Sequence, residues 1–323
     1  MRSILIALLA TTLAMAVQAQ PLQLEAKIPL GNVAGRIDHM AFDAARGRLF
    51  VAELGNNSLG VVDVNARKVV HRISGLKEPQ GVGYFKPFDA IYVANGGDGS
   101  VRIYRGEDFS QIGTVALGDD ADNVRIDQGA SRIVVGYGKG ALAIIEPGSH
   151  AKTNDIPLKA HPESFQLDQE SEHIFVNLPD TRSIAVVSKA TGQEIANWRQ
   201  TYAGNYAMAF DTERERVFVV FRNPAKFVAL AEDTGAVLAE VDTCGDVDDL
   251  FFDRKRKRVY ISCGQGFIDV LDARDPAFVR LARIATVPGA RTSLFVPNAD
   301  RLFLAVRAQG GQGAAIWVYR VAE

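Results

Sequence analysis

Short apolar segments alternate with polar turns along the chain, and one of these segments recurs at a nearly constant interval. Each copy is a basic or small residue followed by three apolar residues, as in Arg48-Leu49-Phe50-Val51. The central residues of the seven copies are Phe50, Tyr92, Val134, Phe175, Phe218, Tyr260 and Phe303. Their spacings of 42, 42, 41, 43, 42 and 43 residues indicate an internal repeat.

Each repeat has the same internal order of short apolar runs. A first run such as Met40–Phe42 leads through a polar turn, often opened by Asp, to the recurring segment. A third run such as Gly60–Val64 and a fourth such as Val69–Ile73 follow. No stretch after residue 20 shows helical periodicity. Four antiparallel strands in about 42 residues, repeated seven times, predict an all-β fold, the seven-bladed β-propeller.

The two ends of the chain together supply one blade. The seventh repeat has strands near Thr292–Val296, Arg301–Ala305 and Ala314–Val321, and then the sequence stops. Leu22–Leu30 has the character of the missing fourth strand. We therefore expect the N-terminal strand to close the last blade, which removes the open sheet edges that promote aggregation.

The first 19 residues have the pattern of a secretory signal peptide. An arginine at position 2 precedes an apolar run over residues 4–16, and Ala19 ends a small-x-small cleavage motif. The run is short for a membrane span, so an uncleaved anchor is the weaker alternative. We expect cleavage after Ala19, a single propeller domain over residues 20–323, and a periplasmic or secreted protein that is not an integral membrane protein.

One repeat carries a recognisable signature. Tyr92-Val93-Ala94-Asn95, followed by Gly96–Val101, resembles the signature of YVTN-repeat β-propellers, and Phe50–Val64 looks like the same unit. The resemblance spans all seven repeats and is nearest in character to exported bacterial propellers of the YncE type. It implies the propeller fold. Propellers of this class include binding modules, lactonases and lyases, so the fold alone does not choose a function.

Composition and missing motifs exclude several functions. The chain has 36 basic and 38 acidic residues, so it lacks the positive charge of a counterion-releasing nucleic-acid binder. Its two cysteines exclude a Cys₄ metal site. It has no G-x-S-x-G elbow, no P-loop and no H-E-x-x-H motif. A closed propeller needs no partner to bury its edges, so we expect a monomer.

Acidic residues gather just before the first strand in four of the seven repeats, the first, third, fourth and sixth. In such propellers the first strands line the central channel, so the residues that precede them meet at one mouth. Two aligned positions hold 14 residues, five of them acidic, where average usage predicts between one and two. The residues expected to bind a ligand are Asp38, Asp122, Asn123, Glu163, Asp248, Asp249 and Arg291 at this mouth, and Asn95, Asn177, Arg222 and Arg307 at the starts of neighbouring loops.

Three functions are compatible with this acidic mouth. The leading hypothesis is recognition of a ligand or protein partner. The second is a metal-dependent hydrolase or lyase of lactone-like substrates, with Asp38, His39, Glu163 and Asp248 around a divalent cation, because converging carboxylates are relieved by a cation. The third is a protein-interaction scaffold in the periplasm. Asp and Asn also open turns by bonding their own backbone, which is the purely structural explanation of the same residues.

The two cysteines belong to the sixth repeat. Cys244 precedes its first strand and Cys263 ends its second, so antiparallel pairing brings both to the same face. An oxidising compartment permits a disulfide between them.

Overall fold

The computed structural model describes residues 20–168 and 171–323, so the predicted signal peptide at residues 1–19 lies outside the described residues. In the described part, seven sheets each contain four antiparallel strands. The predicted seven-bladed β-propeller is thereby confirmed. No helix among these residues is long and apolar enough to cross a membrane.

Each blade runs from an inner strand at the channel to an outer strand at the rim. The inner strands are β2 (Met40–Asp43), β6 (Pro79–Phe85), β10 (Ala121–Asp127), β14 (Phe165–Leu167), β18 (Ala203–Asp211), β22 (Val247–Asp253) and β26 (Ser293–Val296). The second strands are β3 (Arg48–Glu53), β7 (Ala90–Asn95), β11 (Arg132–Tyr137), β15 (His173–Leu178), β19 (Arg216–Asn223), β23 (Arg258–Cys263) and β27 (Arg301–Val306). Blade one begins at β2 and blade seven at β26.

The outer half of each blade completes the sheet. The third strands are β4 (Ser58–Asp63), β8 (Ser100–Arg105), β12 (Ala141–Glu146), β16 (Ser183–Ser188), β20 (Ala225–Ala231), β24 (Phe267–Asp272) and β28 (Ala314–Val321). The outer strands are β5 (Lys68–Ser74), β9 (Gln111–Ala116), β13 (Ala151–Pro157), β17 (Glu194–Arg199), β21 (Val237–Asp242), β25 (Arg280–Ala285) and, in blade seven, β1 (Leu22–Gly31). Single 3-10 turns in the described residues lie at Leu54–Asn56, Lys86–Phe88, Pro179–Thr181, Thr212–Arg214 and Pro297–Ala299.

The recurring aromatic or β-branched residue of each repeat is the reason that the blades stack. All seven second strands begin at the basic or small residue that starts the motif. The seven central residues are fully buried, and each belongs to a different apolar cluster between two neighbouring blades. Phe50, for example, packs between blades one and two, and Phe303 between blades seven and one. The hydrophobic core is therefore a ring of seven interblade layers.

The N-terminal strand closes this ring as predicted. β1 pairs antiparallel with β28 from Leu22, opposite Val321, to Gly31, opposite Ala314. Leu22, Ile28 and Leu30 are almost completely buried in the layers on either side of blade seven. Beyond the strand, the Ala322 N–H donates to the Pro21 carbonyl at 3.0 Å.

The aspartates that open the turn after the inner strands have a structural role. The Asp43 carboxylate accepts the Ala45 N–H at 2.9 Å, and that of Asp253 accepts the Arg256 N–H at 3.1 Å. Such side-chain bonds shape the turn and explain these acids without a ligand. They lie at the opposite end of the inner strands from the residues described next.

Candidate functional site

The ends of the inner strands that face the other way carry a cluster of charged side chains, which we call the channel mouth. Its members are Arg36, Asp38, His39, Asp120, Asp122, His161, Glu163, Arg222, Asp246, Asp248, Asp249 and Arg291. The acids of this set come from blades one, three, four and six, as the sequence alignment predicted. The arginines come from blades one, five and seven.

Backbone irregularities aim several of these side chains. In β22 a bulge between Val247 and Asp249 leaves Asp248 without a partner on β23. In β10 a bulge between Ala121 and Val124 contains Asp122 and Asn123. Bulges bend a strand and redirect its side chains, so they bring Asp248 and Asp122 to the mouth rather than into the blade.

Asp248 is the most strongly held carboxylate of the mouth. One oxygen accepts a hydrogen bond from Arg222 Nη2 at 2.6 Å, and the other lies 3.3 Å from Arg291 Nε and 3.2 Å from Thr292 Oγ1. Burial alone raises the pKa of this carboxyl, but Arg291, His39, Arg222 and Arg36 outweigh burial and lower it below its ordinary value. Asp248 is therefore ionised and pairs with arginines from both neighbouring blades.

His39 lies between two acids. Its Nε2 is 3.8 Å from Asp38 Oδ1, and its Nδ1 is 3.7 Å from Asp249 Oδ1. Burial lowers the pKa of His39, but the carboxylates of Asp249 and Asp38 exceed that effect and raise it overall. Burial raises the pKa of Asp249 to about 6, although its other oxygen accepts the Ser293 N–H at 2.7 Å.

His161, which precedes the inner strand of blade four, forms a second imidazole–carboxylate group. Its Nε2 lies 3.9 Å from Asp122 Oδ2, its Nδ1 lies 3.9 Å from Asp120 Oδ2, and Nδ1 is also 2.5 Å from the Gly138 carbonyl. Asp122 is the main cause that raises the pKa of His161 to about 9. This imidazole is accordingly a cation at neutral pH.

Glu163 differs from the other acids of the mouth. Its carboxylate has no hydrogen-bond or ion-pair partner within residues 20–168 and 171–323. Burial, followed by repulsion from Asp122, raises the pKa of Glu163 to about 7. The group therefore sits at its titration point with free oxygens, which is a frequent property of functional carboxyl groups.

The other predicted residues lie in different surroundings. Asn95 and Asn177 are fully buried. Asn95 donates to the Val93 and Ser100 carbonyls, and Asn177 accepts from Asn205 at 3.2 Å, so both side chains bond to residues of strands rather than facing the mouth. Asn123 is buried with an Oδ1 that has no hydrogen-bond partner. Arg307 is exposed and lines a small cleft beside Arg36 and Arg291.

The predicted metal set does not form a metal-binding group in this arrangement. Among the described residues, no three His, Cys, Asp or Glu side chains are grouped so as to hold a metal ion. Guanidinium groups stand against Asp38 and Asp248 instead, with Arg36 Nε 3.1 Å from Asp38 Oδ2. The cysteines that precede the mouth, Cys244 and Cys263, are joined in a disulfide with Cα atoms 5.8 Å apart.

Sequence reasoning did not include His161, Asp120, Asp246 or Arg36 among the site residues. His161 and Arg36 stand within two or three residues of the aligned acids, and that proximity was the available signal. A fifth omission is Arg125, a charged residue between Val124 and Ile126 inside an inner strand. The available signal for Arg125 was a charged side chain between two apolar residues of a strand that lines the channel.

Comparison with known proteins supports the β-propeller fold and no more specific family or function. No family model and no curated protein sequence matches the chain. Among solved structures, the hydrazine synthase of Kuenenia stuttgartiensis is similar with a TM-score of 0.77 at 16% identity over 95% of this chain and 99% of that one. A chain of the mitotic checkpoint complex is similar with a TM-score of 0.79 at 13% identity over 100% of this chain and 99% of that one.

Proposed function

We propose that this protein is an exported binding protein that recognises a small polar ligand through a cationic group at the channel mouth. The observation that carries the proposal is the free carboxylate of Glu163 in a mouth whose seven carboxylates outnumber its three guanidinium groups and two imidazoles together. Burying a carboxylate without a partner is costly, and a ligand cation removes that cost.

The electrostatics of the mouth act across the channel. The carboxyls of Asp122 and Asp248 raise the pKa of Glu163, and the same two acids contribute to raising the pKa of Asp38. The acids thus repel one another around a shared space. A positive group placed there interacts with several of them at once, which favours cations over neutral molecules.

The metal-dependent alternative has less support from the geometry. A divalent cation needs several free oxygen ligands. Arg222, Arg291 and Thr292 already contact the Asp248 carboxylate, and Arg36 that of Asp38. The metal content of protein purified without chelator distinguishes the two functions, since the binding proposal expects no stoichiometric metal.

The test of the binding proposal is calorimetric titration with n-alkylamines at neutral pH, with the n-alcohols of equal length as neutral probes. We expect the amines to bind more tightly than the alcohols, and Glu163→Gln to weaken amine binding by roughly tenfold or more, as the loss of one charge-assisted contact does. Glu107→Gln, in an exposed turn between β8 and β9, is the matched control. Equal binding of amines and alcohols contradicts the proposal.

Export is supported by the pattern of residues 1–19 and needs its own test. We expect the protein to be recovered from the periplasmic or secreted fraction with Gln20 as its first residue. Intact-mass measurement and N-terminal sequencing check this. A chain that retains Met1 in the cytoplasmic fraction contradicts it. The finer resemblance to YncE-type propellers belongs to this same proposal.

A further inference from the structure

The channel below the mouth contains a cavity of about 380 Å³. This volume falls in the range of small-molecule pockets, roughly 300–1,000 Å³. Its walls come from several inner strands and combine polar side chains with apolar ones, among them Val82, Val124, Ile126, Phe251 and Leu294. His39 and Asp249 of the mouth also line it, so the cavity is continuous with the site proposed above.

Arg125 is the arginine in the wall of this cavity. Its Nε donates to the Phe165 carbonyl at 3.0 Å, and its Nη1 donates to the Val124 carbonyl at 3.1 Å. A guanidinium has five N–H donors. Within the described parts of the chain, no carboxylate lies within ion-pair distance of Arg125, and its remaining donors have no protein acceptor.

The arginines of the mouth behave differently. Arg36, Arg222 and Arg291 each contact an aspartate directly. Arg125 instead lies over the Phe165 ring, with Cζ 5.5 Å from the ring centroid, and its attraction to Asp249 and Asp122 acts over a longer range. Burial lowers the pKa of Arg125 below the ordinary value despite that attraction. A guanidinium that is held by two carbonyls in the channel is rigid, charged and short of an acceptor. Carboxylates fit the planar fork of such a group.

We infer that Arg125 is the anion-binding half of a site whose cation-binding half is the channel mouth, so that the ligand is a zwitterion with an apolar body, of the ω-aminoalkanoate class. The carboxylate of the ligand accepts hydrogen bonds from the free N–H groups of Arg125. Its ammonium group lies among the mouth carboxylates, of which Asp249 lines the same cavity. The apolar side chains of the walls contact the methylene chain between the two charges. The inference rests on the proposed function, because it assumes a cationic group at the mouth.

The test compares three homologous series of probes on the full-length mature chain. Straight-chain ω-aminoalkanoates carry both charges, n-alkylamines of the same length carry only the cation, and n-alkanoates carry only the anion. Calorimetric titration gives the affinity for each. We expect aminoalkanoates of one optimal length to bind more tightly than the equivalent amine by roughly 10- to 100-fold, the contribution of a hydrogen bond to a charged group.

Arg125→Met removes the charge and retains the approximate length of the side chain. We expect this variant to bind aminoalkanoates no better than amines, and to bind amines at least as tightly as the wild type does, because a positive charge has been removed from the wall of the site. Arg102→Met, on β8 and in contact with Asp98, is the control and should bind both series as the wild type does. Thermal unfolding of both variants verifies that they are folded.

The outcomes separate the two proposals. If amines bind and the added carboxylate gives no gain, the inference about Arg125 is overturned while the proposed function stands. If the carboxylate improves binding equally in the wild type and in Arg125→Met, the inference is also overturned. If neither series binds, both proposals fail. If alkanoates bind as tightly as aminoalkanoates, the zwitterion is refuted.

Discussion

Replacing Asp249 by asparagine should stabilise the protein at alkaline pH. The Asp249 side chain is 12% exposed, and burial raises its pKa to about 6 from an ordinary 3.8. A difference of about two pKa units corresponds to about 3 kcal/mol between the two protonation states. When Asp249 is ionised, the folded protein is destabilised by this amount. Asparagine resembles the protonated carboxyl group and still accepts the Ser293 N–H.

The sign of the stability difference between Asp249→Asn and the wild type follows from the pH dependence. Between about pH 4 and pH 6 the folded wild type holds a proton on Asp249 that the unfolded chain releases, so wild-type stability falls as the pH rises through this window. Below about pH 4 both states are protonated, and the wild type and Asp249→Asn should be nearly equal in this contribution. Above about pH 6 the full difference of about 3 kcal/mol should favour the variant.

Denaturant unfolding and calorimetry across this pH range measure the effect. For about 300 residues the entropy of unfolding makes 3 kcal/mol equivalent to a Tm gain of about 5 °C. Asp242→Asn is the control, because that carboxylate is 80% exposed and its replacement should leave the pH dependence of stability unchanged. The reasoning is refuted if Asp249→Asn is no more stable than the wild type at about pH 8, or if its advantage is the same at about pH 4.

Three further predictions concern the closure strand, the disulfide and the second histidine group. Ile28→Ala should cost about 2–5 kcal/mol in denaturant unfolding, while Leu24→Ala on the same strand, 46% exposed, should cost far less; equal losses would contradict the packing. Replacing Cys244 and Cys263 by alanine should lower the free energy of unfolding by about 3 kcal/mol, given the sequence separation of 19 residues, and alkylation before reduction should label neither thiol. The His161 ring should titrate in NMR spectra near pH 9, and Asp122→Asn should move its pKa towards the ordinary value of 6.5; an unchanged pKa would show that Asp122 does not act on it.

The repeat explains why the fold was predictable. The second strands are buried on both faces, so each is a run of apolar residues that follows a basic or small residue, and the seven runs can be aligned directly. The outer strands are harder to detect. In β13, for example, Ile156 is the only buried side chain, because the strand lies at the rim and has solvent on most of its surface. Such a strand has no hydrophobic pattern to read.

The sequence predicted which end of the channel carries the candidate site, but it did not predict which way each side chain points. Alignment of the repeats placed Asp38, Glu163 and Asp248 at one end of the channel, and they do lie there. It placed Asn95 and Asn177 at the same level, but these side chains turn into the blades. Pairing across blades was also invisible, since Arg222 reaches Asp248 from the end of a strand in the preceding blade. The direction in which a side chain points depends on bulges and loop paths, and the pattern of residue types along the chain does not reveal these.

The antiparallel pairing of β1 with β28 also affects how the chain folds. Five of the seven interblade layers contain no residue of β1 and join blades that follow each other along the chain, so they can form one after another as the polypeptide emerges. The two layers on either side of blade seven contain Leu22, Ile28 and Leu30 of β1, so they are completed only when the two ends of the chain meet. Until then β28 is exposed and can accept β1 of a second molecule. Refolding at high concentration should therefore yield strand-exchanged dimers, and dilution should favour the single closed ring.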